Sequence, residues 1–432
     1  SKYQAGKIIE RTGIEGGLVA HVNCGGGQLT TGLRANDHYV VHGISRSEAS
    51  VDQARDFIQK QGLYGEVSIG RWKGEKLPYS DDLVNLLVIN EGEEVSRDEV
   101  MRVLAPKGVA LIKKDGEWVK QKYSWPSKLD DWTHYLHGPD GNQVARDSVA
   151  GPPRHIKWQA TPDWRRKHRY GDKTAMVSTE GRLFYVDNQV HPSIEDLPDR
   201  PFLVARNGFN GVLLWKKPIY PRTPEDLMGP GRDSSNFEHF EPRFPMELKV
   251  VAINDRLYTA FGENGQIQAV DAATGNLERT FEGTEGTEEI LYADGVLFTV
   301  APKKKDKVKE MDYTTAELNY VTFTRERAKI LRAIDPDSGD ILWEYDTGGK
   351  GGLKVSPVIK NGDIFIVVDG QLEKLDISTG ERDWQKALPD NMEKEQLQSV
   401  KYIKGPSVYD RLIAGDDVIL LVYNSGGGST DT

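Results

Sequence analysis

Ile334-Asp335-Pro336-Asp337-Ser338-Gly339-Asp340-Ile341-Leu342-Trp343 decides the reading of this chain, because its frame recurs. Val270-Asp271-Ala272-Ala273-Thr274-Gly275 and Leu375-Asp376-Ile377-Ser378-Thr379-Gly380-Glu381-Arg382-Asp383-Trp384 repeat it, and Asn207-Gly208-Phe209-Asn210-Gly211-Val212-Leu213-Leu214-Trp215 is a looser copy. In each, Asp or Asn stands four residues before a Gly, and three of the four place Trp four residues after it. An apolar strand ending at the Asp, whose side chain bonds the backbone two residues on, then a Gly supplying positive φ and a second apolar strand, is a hairpin. The Trp has a large ring to bury, and in stacked repeats it lies between neighbouring sheets.

Each turn has a further strand upstream, beginning near Gly181, Asp255, Asp294 and Asn361, with another near Asp416. Strand, strand, turn, strand with a period in the tens of residues predicts blades of a β-propeller. The turn glycines Gly211, Gly275, Gly339 and Gly380 are 64, 64 and 41 residues apart. About 40 residues make a four-stranded blade, so the longer intervals carry inserts of roughly 23 residues, near 220–244 and 302–328. Four blades are expected between 161 and 432, with a fifth that begins near Val408 and stops after one strand. Further chain or another segment is expected to complete the ring.

Residues 1–115 alternate helix and strand instead: strands at Gly17–Val22, Tyr39–Ile44, Val67–Ile69, Leu83–Ile89 and Gly108–Lys113, with helices between. That alternation predicts a parallel, doubly wound sheet whose ligand side is the carboxyl ends of its strands, here Asn23–Gly27. The expected fold is therefore multidomain: an α/β doubly wound unit (1–115), a Trp- and Pro-rich connector (116–160) and an all-β propeller (161–432).

The chain has 432 residues, a formal net charge of −10 and one cysteine. The acidic balance argues against nucleic acid bound through a general basic surface. A single cysteine excludes an intramolecular disulfide framework and multi-cysteine metal sites. No apolar run approaches the roughly 20 residues of a membrane helix. Cys24 could act as a nucleophile at a helix start, but with no base nearby in sequence it reads as a small buried residue.

Three clusters carry polar chemistry. In the connector, Asp130-Asp131-Trp132-Thr133-His134-Tyr135-Leu136-His137-Gly138-Pro139-Asp140 puts His134 and His137 three apart. On a helical turn both imidazoles would face one way and could share a metal with Asp140 or Asp131. Trp164-Arg165-Arg166-Lys167-His168-Arg169-Tyr170 would suit an acidic glycan, Arg165, Arg166 and Arg169 bonding carboxylates and Tyr170 stacking on a sugar. The third, Asn236-Phe237-Glu238-His239-Phe240, lies in the first insert, His239 being its candidate contact.

His21-Val22-Asn23-Cys24-Gly25-Gly26-Gly27-Gln28, with Leu77-Pro78-Tyr79 and Leu104-Ala105-Pro106-Lys107-Gly108, resembles the class I S-adenosylmethionine-dependent methyltransferases. The resemblance implies a Rossmann-like fold and Gly25, Gly26 and Gly27 as cofactor contacts. Departures stand at Asn23 for the first loop glycine, Ser45 for the ribose-binding acid and Lys73 for a further acid near the adenine, so a retained fold without bound cofactor is expected. From 162 onward the chain resembles the quinoprotein-like PQQ-repeat propellers, departing at Arg279 in place of the Trp. Quinone chemistry is not expected, since the vicinal cysteine pair that such dehydrogenases commonly use is missing. The whole arrangement resembles large, mostly exported bacterial proteins common in planctomycetes, implying a periplasmic or extracellular location, to which the start at Ser1 without Met adds. The leading expectation is an exported scaffold presenting the propeller to a glycan or protein partner. The alternatives are a polysaccharide lyase or hydrolase using His134, His137 or His168, and an S-adenosylmethionine-dependent methyltransferase.

Overall fold

The computed structural model describes residues 2–149, 151, 155–160, 173–188, 201–219, 246–261, 265–303, 329–348, 356–388, 400–404 and 411–423. In the N-terminal part, β1 (Gly17–Val22), β2 (Tyr39–Ser45), β3 (Val67–Arg71), β4 (Val84–Ile89), β5 (Leu104–Lys114) and β6 (Glu117–Lys122) form one sheet in the order β3-β2-β1-β4-β5-β6. All neighbours are parallel except β5 and β6. All six residues of β4 are buried, as a parallel strand covered on both faces requires. Helices α1 (Lys2–Thr12), α2 (Gln28–Leu33), α3 (Glu48–Lys60) and α4 (Arg97–Val103) connect or cover it. The start of α3 is fixed by Ser47, whose hydroxyl accepts the Ser50 N–H at 3.2 Å, and Val51, Ala54 and Ile58 form its buried stripe. This is the Rossmann-like sheet expected from the sequence. Its strand order reverses between β1 and β4, which puts the ligand crevice there. Strand β6 lies past residue 115 and gives no apolar alternation, because it is an exposed edge rich in Lys.

The C-terminal part is strand-rich. Four antiparallel meanders of four strands follow one another: β7 (Lys173–Thr179) to β10 (Leu213–Pro218), with β8 (Arg182–Asn188) and β9 (Pro201–Asn207) between; then β11 (Val250–Ile253), β12 (Arg256–Thr259), β13 (Gln268–Asp271) and β14 (Leu277–Thr280). The third holds β15 (Glu289–Ala293), β16 (Val296–Pro302), β17 (Lys329–Ile334) and β18 (Ile341–Asp346), and the fourth β19 (Val358–Lys360), β20 (Asp363–Val368), β21 (Gln371–Asp376) and β22 (Arg382–Ala387). Four-stranded antiparallel sheets of this kind are compatible with propeller blades. The fifth unit differs from the one strand expected. There β24 (Arg411–Ala414) pairs antiparallel with β25 (Ile419–Tyr423), and β23 (Val400–Lys404) lies parallel on β25.

The repeated frame does what its residues dictate. Asp335 accepts the N–H groups of Asp337 and Ser338 at 2.8 and 2.7 Å, and Gly339 donates to its carbonyl at 2.8 Å with φ +85°. Each third-to-fourth-strand hairpin shifts register by one residue at this turn, which tightens its twist. The tryptophans then join one sheet to the next. Trp215 lies on the Gly275 turn and donates Nε1–H to the Ala272 carbonyl at 3.0 Å; Trp343 lies on the Gly380 turn and donates to the Ile377 carbonyl at 3.0 Å. Where the sequence has Arg279, its guanidinium bonds the Ser338 and Asp337 carbonyls at 2.7 and 2.8 Å, a polar substitute for the ring.

The two parts are docked. Asn210, in the first repeat turn, donates to the Leu83 carbonyl at 2.8 Å and to Asn85 Oδ1 at 2.7 Å; that Asn85 oxygen also accepts the Leu18 N–H at 2.9 Å. Lys157 reaches the Asp82 carbonyl at 3.1 Å, and Lys107 pairs with Glu180. The contacts to Leu18, Asp82, Leu83 and Asn85 lie at the amino ends of β1 and β4, so the crevice at their carboxyl ends faces away from the repeats.

Candidate functional site

The connector cluster is built into the repeats. One edge of each sheet in the C-terminal part is formed by β7, β11, β15, β19 or β24. Ser178 of β7 donates its N–H to the Trp132 carbonyl at 2.7 Å, and Ala252 of β11 to the Thr133 carbonyl at 3.0 Å. Tyr292 of β15 donates to His134 Nε2 at 3.0 Å. Ile359 of β19 and Ala414 of β24 donate to the Pro139 and Asp140 carbonyls, each at 2.8 Å. Five edge strands thus each spend one backbone donor on residues 132–140, an irregular segment that becomes their shared seam. Gly141 fits there because a Cβ would meet the Leu412 carbonyl oxygen at 2.7 Å.

The cluster does not lie on the helical turn expected for it. His134 and His137 form an isolated antiparallel bridge rather than a helical turn, with His137 at φ +78°. The Tyr292 N–H occupies the lone pair of His134 Nε2, so its Nδ1 carries the proton and donates to Thr133 Oγ1 at 2.7 Å. The Thr133 hydroxyl in turn donates to the His137 carbonyl at 3.2 Å. Burial, with His137 adding to it, holds the His134 pKa down at about 3, so the ring is neutral. His137 Nε2 is bound to Asp130 Oδ2 at 2.7 Å, while its buried Nδ1 has no partner. Asp140 is spent on the Asn142 N–H at 3.1 Å and on Arg146 at 3.0 Å. Among the described residues, no group of three or more His, Cys, Asp or Glu side chains is placed to hold a metal ion. Burial raises the Asp131 pKa to about 6; its Oδ1 accepts the Glu180 N–H at 2.9 Å. Arg165, Arg166, His168, Arg169, Tyr170 and His239 lie outside the described residues.

The crevice of the Rossmann-like sheet is the second candidate. After β1 the chain turns through Asn23 at φ 58°, Gly25 at 55° and Gly27 at 86° into α2. A Cβ on Gly25 would meet nothing within 4 Å, whereas one on Gly27 would press on Ala54 at 3.1 Å, so Gly27 serves helix packing and Gly25 borders open space. Cys24 is buried, which pushes its thiol pKa up to about 11 and leaves it protonated. His21 is fully buried and held down at about 4, bonded to Thr30 at 2.8 Å and Asn90 at 2.9 Å.

Side chains close much of this crevice between themselves. Asn90 donates to the Asn23 carbonyl and Asn23 to the Glu91 carbonyl, both at 2.9 Å, tying the β1 loop to the β4 loop. At the end of β2, Ser45 is buried and its hydroxyl accepts the Ser47 N–H at 3.2 Å. Arg46 lies over the Trp72 ring at 3.9 Å and bonds Glu93 at 3.1 Å, so the ends of β2, β3 and β4 meet across the crevice. Lys73 is exposed beside them. The end of β2 thus presents a hydroxyl rather than a carboxylate, and a guanidinium stacked on the ring beside it. Arg46, Trp72 and Asn90 were not singled out from the sequence; their positions just past the carboxyl ends of β2, β3 and β4 were the available signal.

The comparisons agree with this division. A PQQ-repeat family model described as outer membrane protein assembly factor BamB matches residues 210–431, more than half of the chain. A methyltransferase domain model matches residues 20–112. No curated protein matches. Among solved structures, the N-terminal part is similar to an S-adenosylmethionine-dependent methyltransferase from Aquifex aeolicus, at 24% identity over 26% of this chain and 66% of that one, TM-score 0.23. It is also similar to YcgJ from Bacillus subtilis, at 21% identity over 26% and 50%, TM-score 0.23. A third is geranyl diphosphate C-methyltransferase from Streptomyces coelicolor, solved with S-adenosyl-L-homocysteine, at 18% identity over 26% and 45%, TM-score 0.24. The chain spans about half the length of most of these proteins. A methyltransferase-type domain and PQQ-type repeats are therefore both present, and S-adenosylmethionine is a candidate cofactor.

Proposed function

Because the chain belongs to the PQQ-repeat family described as outer membrane protein assembly factor BamB, we propose that it is a binding platform whose sheets are propeller blades ranged around residues 132–140. The observation that carries this reading is the set of five edge strands that each donate one hydrogen bond to that segment. A segment so used is framework, and the surface left for partners is the outer and open faces of the blades. The partner is a protein or a glycan met outside the cytoplasm. The N-terminal domain is docked by its amino-end edge and supports the platform rather than transferring a group. Cleavage of polysaccharide is the weaker reading, since both nitrogens of His134 are committed and the partnerless Nδ1 of His137 is buried away from the surface.

Methyl transfer is the second reading, favoured by the open surroundings of Gly25 and by the match over residues 20–112. Two assays separate the readings. Incubation with radiolabelled S-adenosylmethionine and a panel of acceptors should give no labelled product, while immobilised chain should retain specific members of a panel of acidic glycans and envelope proteins. Transfer of label would sink the platform reading of the N-terminal domain, and no retention of any panel member would sink that of the blades.

A further inference from the structure

We propose that Arg46 is a built-in occupant of the nucleoside half of the N-terminal crevice, and that its removal, with a carboxylate put in place of Ser45, would make the domain bind S-adenosyl-L-homocysteine. The inference rests on the platform reading above and adds to it a named cause.

Trp72 is buried, and its Nε1–H is fixed to the Lys76 carbonyl at 2.8 Å, so the ring cannot turn aside. The Trp72 N–H also bonds the Ser45 carbonyl at 3.0 Å, which holds the ends of β2 and β3 together. On that fixed face lies the Arg46 guanidinium, a planar cation at 3.9 Å, in ordinary stacking contact. A purine would have to take the same face, because a second plane between the two needs roughly twice that separation. Glu93 holds the guanidinium from the opposite side of the crevice, and its own side chain is only 15% exposed. Arg46 therefore supplies what a bound base would supply, a planar group stacked on Trp72 and tied to the β4 loop. Ser45 completes the change. A carboxylate there could accept two charge-assisted bonds from a ribose diol, and a hydroxyl already engaged with the Ser47 N–H cannot. The positive charge of Arg46 also opposes the sulfonium of S-adenosylmethionine, so the uncharged-sulfur product is the stricter probe.

The experiment is isothermal titration of S-adenosyl-L-homocysteine into the full chain, into Arg46→Ala and into Ser45→Asp/Arg46→Ala, each checked for folding by thermal melting. The wild-type chain should bind no more tightly than about 1 mM. Arg46→Ala should gain measurable affinity, and the double variant should gain roughly 100-fold or more, from the freed ring face and the charge-assisted ribose bonds. Micromolar binding by the wild-type chain would overturn the proposal, as would folded variants that bind no better than wild type. Should the buried aspartate prevent folding, the single Arg46→Ala variant decides alone, since that side chain is 44% exposed. Binding by wild type without methyl transfer would end this inference and leave the platform reading standing; transfer would end both.

Discussion

Replacing His134 by Gln should change the stability of the chain by an amount that depends on pH, and the dependence can be worked out beforehand. The imidazole is fully buried and neutral, with a pKa of about 3 against 6.5 for an exposed histidine. A folded pKa below the unfolded one means that the unfolded chain takes up a proton first as pH falls. The contribution of His134 is therefore complete above pH 6.5 and drains away below it, down to about pH 3, at ~1.4 kcal/mol per pH unit. Glutamine can still accept the Tyr292 N–H but does not titrate. At pH 8 the variant should be less stable by about 1–2 kcal/mol, for the disturbed bonds to Thr133 and Tyr292. At pH 5 that deficit should shrink by about 2 kcal/mol, since wild type alone has paid the protonation of its unfolded state. Urea unfolding followed by tryptophan fluorescence at both pH values measures the difference. Groups remote from His134 cancel in it, including Glu289, whose pKa is raised to about 7 by burial and whose contribution runs the opposite way, lost as pH rises from 4.5 through 7. A deficit that stays constant between pH 8 and 5 would refute the neutral, buried His134.

Trp343→Ala should cost about 3 kcal/mol in urea unfolding, through the lost ring and the unpaired Ile377 carbonyl, whereas Trp384→Ala, 40% exposed, should cost less than about 1. Gly380→Ala should cost at least ~2 kcal/mol, because φ is +70° and the new Cβ would stand 2.5 Å from the Trp343 ring; a neutral result would mean the turn and ring are not so placed. Arg279→Ala should cost about 1 kcal/mol, and less in high salt than in low, as exposed charge-assisted bonds to carbonyls weaken; an equal loss in both would indicate packing instead. His21→Leu should make the chain less sensitive to mild acid, since a ring held at about 4 contributes stability that is complete above pH 6.5 and drains away between 6.5 and about 4; unchanged midpoints between pH 7 and 5 relative to wild type would contradict it.

Much of the fold could be read in the sequence because local chemistry fixes it. The Asp-x-x-x-Gly turns need only neighbours within the same hairpin, and the buried run Val84–Ile89 announces a central parallel strand. What connects the elements was less legible. Residues 130–142 have neither helical nor strand period, because their backbone acceptors are matched to donors from strands up to far along the chain. His134 and His137, three apart, fit a helical metal pair equally well on paper; only the Tyr292 N–H, 158 residues away, reveals that the lone pair is taken. The crevice was half legible. Ser45, standing where the resemblance leads one to expect an acid, shows in sequence, but the Arg46–Trp72 stack depends on two strand ends meeting, which spacing alone does not report.

The segment at Trp132–Asp140 precedes every strand that it binds. A ribosome releases it before any of them, and its acceptors then meet Ser178, Ala252, Tyr292, Ile359 and Ala414 in the order of their synthesis. Closing an ever longer loop adds only slowly to the entropic cost, so the later strands are not greatly penalised for coming last. Trp215, Arg279 and Trp343 each reach the turn of the sheet that follows, so the second to fourth sheets each meet both an acceptor on the early segment and a contact from the sheet made just before them. Chains interrupted partway would carry acceptors on Trp132–Asp140 that later strands have not yet filled.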